Sequence, residues 1–281
     1  AQILGLFLQS VFYGLFCIST AACIHSAWNF PKRGQSRSSV KWLMLTIAGL
    51  LWVVGTLDVI LEVVRHVDAF ITSPEGPLAK FTDLSDWINI CKTTDIGVQT
   101  FIGDSLLIYR CWVIYNESWA VISLPLILWV GGTVCTILGA TFESKFATRS
   151  TLNTPVLAPI IYGFWASTIA LNIITTSLIV YRIWKVHQLT TKFRRNSILT
   201  ESSSAKRPSY LMYIMRIMID SGVLNTSMSV ITLATYVSGS NSLYITSNVG
   251  IEVSGIAFNL IIIRAAAFTE SQQVQTTQSI P

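Results

Sequence analysis

Acids and amides stand inside stretches that are otherwise apolar, and their spacing is what a site would be built from. Asp58 and Glu62 are four residues apart, so on a helix they share a face, with Arg65 three further on. Asn248, Glu252, Gly255 and Asn259 recur at intervals of four, three and four, a single polar stripe down one helix. Counted from the outer ends of their helices, Asp58 and Glu252 fall at one depth, about 10 Å in at 1.5 Å per residue. Two carboxyls meeting there would hold a cation or an amine, or share a proton. The plainer alternative is that they join helix to helix. Asp104 shares a stripe with Gly97, Thr100 and Cys111 and is expected to be a central hydrogen-bonding node. The candidate ligand- or ion-binding residues are therefore Asp58, Asp104, Glu252 and Asn259.

A second group lies where the chain is basic. Arg110, in IYRCW, closes its apolar stretch. Rhodopsin-like receptors carry an acid–Arg–aromatic triplet there, but here Tyr109 precedes the arginine and Cys111 follows it. Snorkelling to the interface is the plain reading of Arg110, and coupling to a cytosolic partner the functional one. Arg194-Arg195-Asn196-Ser197 has the Arg-Arg-x-Ser form that basophilic kinases favour, which makes Ser197 a candidate phosphorylation site and Arg194 and Arg195 candidate coupling residues. The alternative is a basic segment that hugs the membrane and fixes orientation. Trp165, Thr168, Asn172 and Thr175 share one further face, and Ser221, Asn225 and Thr232 lie along another. Arg216 and Asp220, four apart, are expected to neutralise each other.

Enzyme chemistry finds little support. The last apolar run holds no lysine for a retinal Schiff base. His25, His66 and His187 are too scattered for a three-histidine zinc site. Neither a Gly-rich phosphate loop nor a serine nucleophile elbow occurs. No enzyme activity, no cofactor and no metal are expected.

The elements that must position these residues follow from composition. Of 281 residues, 52% are hydrophobic and 12% charged, with mean hydropathy +0.57. Soluble domains carry about 25% charged residues. A bilayer core about 30 Å thick needs roughly 20 apolar residues of helix. Runs at about 3–24, 42–64, 120–142, 159–181, 211–237 and 245–267 meet that need, and the 93–115 stretch, with Asp95, Gln99 and Asp104 inside it, is the weakest candidate. Charge decides its case. The 29–41 connection holds Lys32, Arg33, Arg37 and Lys41, and the connection after Tyr181 holds Arg182, Lys185, Lys192, Arg194, Arg195, Lys206 and Arg207. Positive-inside bias puts both in the cytosol, so an even number of crossings must separate them, and counting 93–115 supplies it. The expectation is an all-α integral membrane bundle of seven transmembrane helices forming one domain, N-terminus outside and C-terminus cytosolic. Most of the 19 Lys and Arg then face the cytosol, while Arg65, Lys80, Lys92, Lys145 and Arg149 stay outside. The basic residues read as topology signals, with no nucleic-acid partner. The first run lacks a basic segment before it and an Ala-x-Ala site after it, and is expected to be a retained span. Only a tight turn fits at Val113–Ser118, so the helices flanking it should be antiparallel neighbours. The tail, 268–281, is expected to be disordered.

Three segments carry a resemblance. LFLQSVFYGLF, GDSLLIYRCWVIY and GIAFNLIIIRAA resemble a large group of fungal (basidiomycete-type) seven-span membrane proteins of unassigned function, in order and over most of the chain. The resemblance implies topology and no catalytic or ligand role. Three functions remain open. One is a receptor-like sensor that signals through the cytosolic connection at 181–210. The second is a small transporter or ion-conducting protein using Asp58, Asp104 and Glu252. The third is a structural or lipid-organising protein. The partners expected are the lipid bilayer and a cytosolic signalling protein, and the plasma membrane is preferred over endomembranes.

Overall fold

A computed structural model of the chain describes residues 2–28, 35–72, 87–146, 157–196, 207–240 and 242–277. Those residues form seven helices: α1 (Gln2–Trp28), α2 (Gln35–Val67), α3 (Trp87–Ile114), α4 (Trp119–Phe146), α5 (Leu157–Asn196), α6 (Arg207–Val237) and α7 (Leu243–Thr277). A π-helical turn, Asp68–Thr72, continues α2. Five stretches, Gln2–Ser26, Leu45–Ile71, Trp119–Lys145, Leu157–Leu189 and Leu243–Arg264, are long and apolar enough to cross a bilayer. The more polar α3 and α6 are not among the five.

Each helix packs on the next in chain order, and α1 packs on α7 to close a ring; α3 also reaches α5 and α7. Contacts fix the directions. Gln9 meets Asp58 and Tyr13 meets Thr56, so α1 and α2 are antiparallel. Thr93 meets Glu143 while Phe101 stacks on Trp129, so α3 and α4 are too. Gly5 lies against Tyr244 and Gly255 against Phe16, so α1 and α7 run parallel. One end of the bundle thus gathers the N-termini of α1, α3, α5 and α7, here called the first end. The second end gathers their C-termini.

Short connections are closed by backbone geometry. After α3, the N–H groups of Asn116 and Glu117 donate to Val113 and Trp112 at 3.1 and 3.0 Å, with positive φ of 54° and 62°. After α6, Gly239 and Ser240 donate to Tyr236 and Thr235 at 3.0 and 3.2 Å, with φ of 59° at Gly239. Both are Schellman closures with Asn116 or Gly239 as the first left-handed residue, types that tolerate it well, and in the first turn Glu117 is left-handed too. The expected antiparallel pairing of α3 and α4 across this turn is what the structure has.

The bundle is polar within and apolar without. Ile3, Phe7, Val11, Leu15 and Ile18 on α1, and Ile127, Val130, Val134 and Ile137 on α4, are exposed. Gln9, Asp58, Glu62, Asp104, Asn172, Glu252 and Asn259 are buried. Water would reverse that arrangement, whereas hydrocarbon requires it. Two apolar clusters bracket the polar centre. Phe16, Leu51, Leu106, Phe258 and Ile262 join α1, α2, α3 and α7, and Ile108, Cys111, Ile122, Leu171 and Ile179 join α3, α4 and α5. These helices belong to a multi-pass membrane protein.

Several boundaries differ from the sequence-based expectation. The 181–210 connection is helical through Asn196 and again from Arg207, leaving 197–206, with Ser197, outside the described residues. Arg194 and Arg195 fall in the last turn of α5. The tail expected to be disordered is helical as far as Thr277. Arg65 and Lys92, expected in an outer loop, lie within α2 and α3 and are buried.

Candidate functional site

Lys92 is the centre of the first-end network. Its Nζ donates to Glu62 Oε2 at 2.5 Å and to Asn248 Oδ1 at 3.0 Å, and stands 3.3 Å from Asp58 Oδ1. Gln9 Nε2 donates to Asp58 Oδ2 at 2.6 Å. Side chains of α2 and α7 therefore converge on the α3 ammonium, and α1 joins the network through Asp58. A lone buried carboxylate in hydrocarbon is costly, and a shared cation with amide donors offsets that cost. Asp58, expected to lack a charged neighbour, has one. Glu62 has Lys92 from α3 as a partner. The guanidinium of Arg65 lies 5.9 Å from the centre of the Tyr244 ring.

Glu252 sits apart from this ammonium. It is wholly buried, and neither carboxylate oxygen has a hydrogen-bond partner among the described residues. α2 and α7 are in contact, the condition on which Asp58 and Glu252 could meet. A Cβ built on Gly55 would lie 3.3 Å from Glu252 Oε2, so the acid reaches α2 where that helix has no side chain. The rest of the α7 stripe ties helices together. Gly255 admits the Phe16 ring, which a Cβ there would meet at 2.5 Å. Asn259 Nδ2 donates to Ser19 Oγ at 3.0 Å and Thr20 Oγ1 at 2.9 Å. The structure thus places Asn259 as a brace between α7 and α1.

Asp104, expected to be a central node, stands at one end of a hydrogen-bonded chain. Asn172 Nδ2 lies 3.4 Å from Asp104 Oδ1, Asn225 Nδ2 donates to Asn172 Oδ1 at 3.0 Å, and Ser254 Oγ donates to Asn225 Oδ1 at 2.7 Å. This chain of side chains crosses the waist from α3 through α5 and α6 to α7. Nearby, Gln99 Nε2 donates to the Ile251 carbonyl at 2.5 Å.

Two cavities flank the waist. The inner one, about 100 Å³, runs among α3, α5, α6 and α7, and Asp104, Asn172, Asn225 and Arg110 line it. The outer one, about 180 Å³, lies toward the first end, between Lys92, Glu143, Phe164, Tyr236 and Asn248. Ile96, Trp165, Thr232 and Ser247 line both, so the two adjoin.

Arg110 departs from the snorkelling expectation. It is 7% exposed, its guanidinium 5.4 Å from the centre of the Phe258 ring, and it faces the inner cavity instead of reaching for the interface. The expected Arg216–Asp220 neutralisation is replaced by an Arg264–Asp220 pair at 3.0 Å between α7 and α6. Both partners of that pair are substantially exposed, so it contributes little stability.

Sequence reasoning missed Lys92, Gln9 and Glu143. A signal existed for the first. Lys92 and Gln99 are seven apart, one helix face, had α3 been begun earlier than Thr93. Gln9 and Glu143 have no intrahelical spacing that marks them, since their partners come from other helices.

Compared with family models, curated proteins and solved structures, the chain matches none.

Proposed function

We propose that the chain crosses the bilayer seven times, N-terminus outside and C-terminus cytosolic, and acts as a receptor-like sensor in the plasma membrane. A ligand enters the outer cavity, and the response leaves through the cytosolic ends of α5 and α6. One observation carries the reading: the outer and inner cavities adjoin at Ile96, Trp165, Thr232 and Ser247, and the inner one reaches Arg110. The Asp104–Asn172–Asn225–Ser254 chain lies along that route and couples the four helices an occupant would displace. Apolar packing alone would let those helices slide, whereas a hydrogen-bond chain in hydrocarbon has discrete arrangements. We also place the chain with the fungal seven-span proteins that its three motifs resemble, which an alignment of its homologues would test.

The test is proximity labelling from a tag inserted in 197–206, in cells with and without the growth medium that supplies ligand. G-protein subunits or arrestin-like proteins labelled in a medium-dependent way, and lost in Asn172→Leu, are the expected result. Labelling that never changes between conditions contradicts a sensor. Glu252 favours a second reading, in which the buried acids pass a proton or cation. Uptake or current in reconstituted vesicles, abolished by Asp58→Asn, would support that reading and displace the first.

A further inference from the structure

A carboxylate on the wall of the outer cavity has an oxygen with nothing to bind among the described residues. Glu143, near the C-terminus of α4, is 4% exposed, and its Oε1 accepts from Thr93 Oγ1 at 3.1 Å. Its Oε2 has no hydrogen-bond partner among the described residues, and the residue lines the cavity. The other charged groups on that wall are engaged. Lys92 is held by Glu62 and Asp58, and Arg65 lies over the Tyr244 ring. An acceptor is therefore what the cavity offers an occupant. Leu157, Ile160, Phe164, Trp165 and Tyr236 also line the cavity and give it an apolar and largely aromatic wall.

The geometry points to a binding site for a small apolar amine, its ammonium on Glu143 and its body against Phe164, Trp165 and Tyr236. The proposal rests on reading this cavity as a ligand site and names the ligand class. Charge supports the choice. A carboxylate buried alone is penalised, but an ammonium arriving with its own charge makes a neutral, hydrogen-bonded pair. If the acid is protonated when empty, the proton moves to the entering amine and the same pair results. The aromatic rings add attraction for a cation that a purely aliphatic wall would lack. Volume sets the size. A cavity of about 150 Å³ holds benzene, so 180 Å³ admits a single ring with a short amine arm.

Thermal unfolding of the purified full chain in nanodiscs, followed by tryptophan fluorescence, tests this with three probes of one shape. These are 2-phenylethylamine, ethylbenzene and phenylacetate. The amine is expected to raise the midpoint by a few degrees at saturation, because a ligand bound only to the folded state stabilises it. Ethylbenzene should do much less and phenylacetate nothing. Glu143→Gln keeps the size and the Thr93 contact, and should unfold within a degree or two of wild type while binding the amine at least tenfold more weakly. Gly139→Val leaves the Glu143 carboxylate in place and adds bulk to the cavity wall one helical turn from it, and should abolish the shift as well. Equal shifts from amine and hydrocarbon, unchanged in Glu143→Gln, would reduce the cavity to an apolar hole. A preference for phenylacetate would give the anchoring role to Arg65 and Lys92 and overturn the proposal, and no shift with any probe would overturn it too. Amine binding without any change in proximity labelling would leave the site standing and remove the sensor reading alone.

Discussion

Single residues carry the interior of this protein, and Lys92 carries most. It is the one ammonium on which Glu62, Asp58 and Asn248 converge, so removing it leaves two buried carboxylates without their cation. Lys92→Met is expected to destabilise the fold by about 3–5 kcal/mol, the usual cost of breaking one side of a buried pair. Lys92→Met combined with Asp58→Asn and Glu62→Gln should recover part of that loss. Chemical unfolding in mixed micelles would measure both, and a triple variant no better than the single one would mean the ammonium acts by packing. Gly255 makes a second point at this scale. Its missing side chain is occupied by the Phe16 ring, so Gly255→Val should cost about 1–3 kcal/mol through overpacking. Gly255→Val with Phe16→Ala should regain some of it. Parity of Gly255→Val with wild type would show that α1 and α7 separate easily.

At the scale of elements, α3 decides how the chain is arranged. Its charges keep it from looking like a span, yet it touches α2, α4, α5 and α7 and buries Lys92, Gln99, Asp104 and Arg110 among them. Polar residues that lower the hydropathy of a segment are what a central helix needs when its neighbours supply the partners. The sequence made the tight turn between α3 and α4, the helix count and the polar stripe of α7 legible, because each depends on local spacing. Long-range pairings were out of its reach. Nothing local says that Asp220 would choose Arg264 over Arg216, or that Arg110 would settle on Phe258. The sequence also ended helices too early, since the loss of apolar residues was read as the loss of helix. α5 and α7 continue for several polar turns beyond their apolar runs. Cysteines placed singly along 268–277 should therefore show spin-label mobility with a period near 3.6 residues. Uniformly fast labels would mean that the extension of α7 is not helical in the membrane-bound protein.

Taken whole, the bundle puts its acids, amides and cavities inside and its large aliphatic side chains outside. Gln9 bonds Asp58, Asp104 and Arg110 line the inner cavity, and Asn259 bonds Ser19 and Thr20. These polar residues make contacts between helices and so hold the architecture together. The outer cavity is framed by Glu143 and Lys92.

All functional readings require α3 to traverse the bilayer, because that crossing sets which ends of α5 and α6 face the cytosol. The direct measurement is labelling of single introduced cysteines by a membrane-impermeant maleimide on intact cells, in a chain whose five native cysteines are replaced. One cysteine goes at Asn116, in the turn between α3 and α4, and one at Ser240, in the turn between α6 and α7. The account predicts that Ser240→Cys is labelled from outside and Asn116→Cys only after permeabilisation. Labelling of both positions on intact cells, or of Asn116→Cys alone, would contradict it.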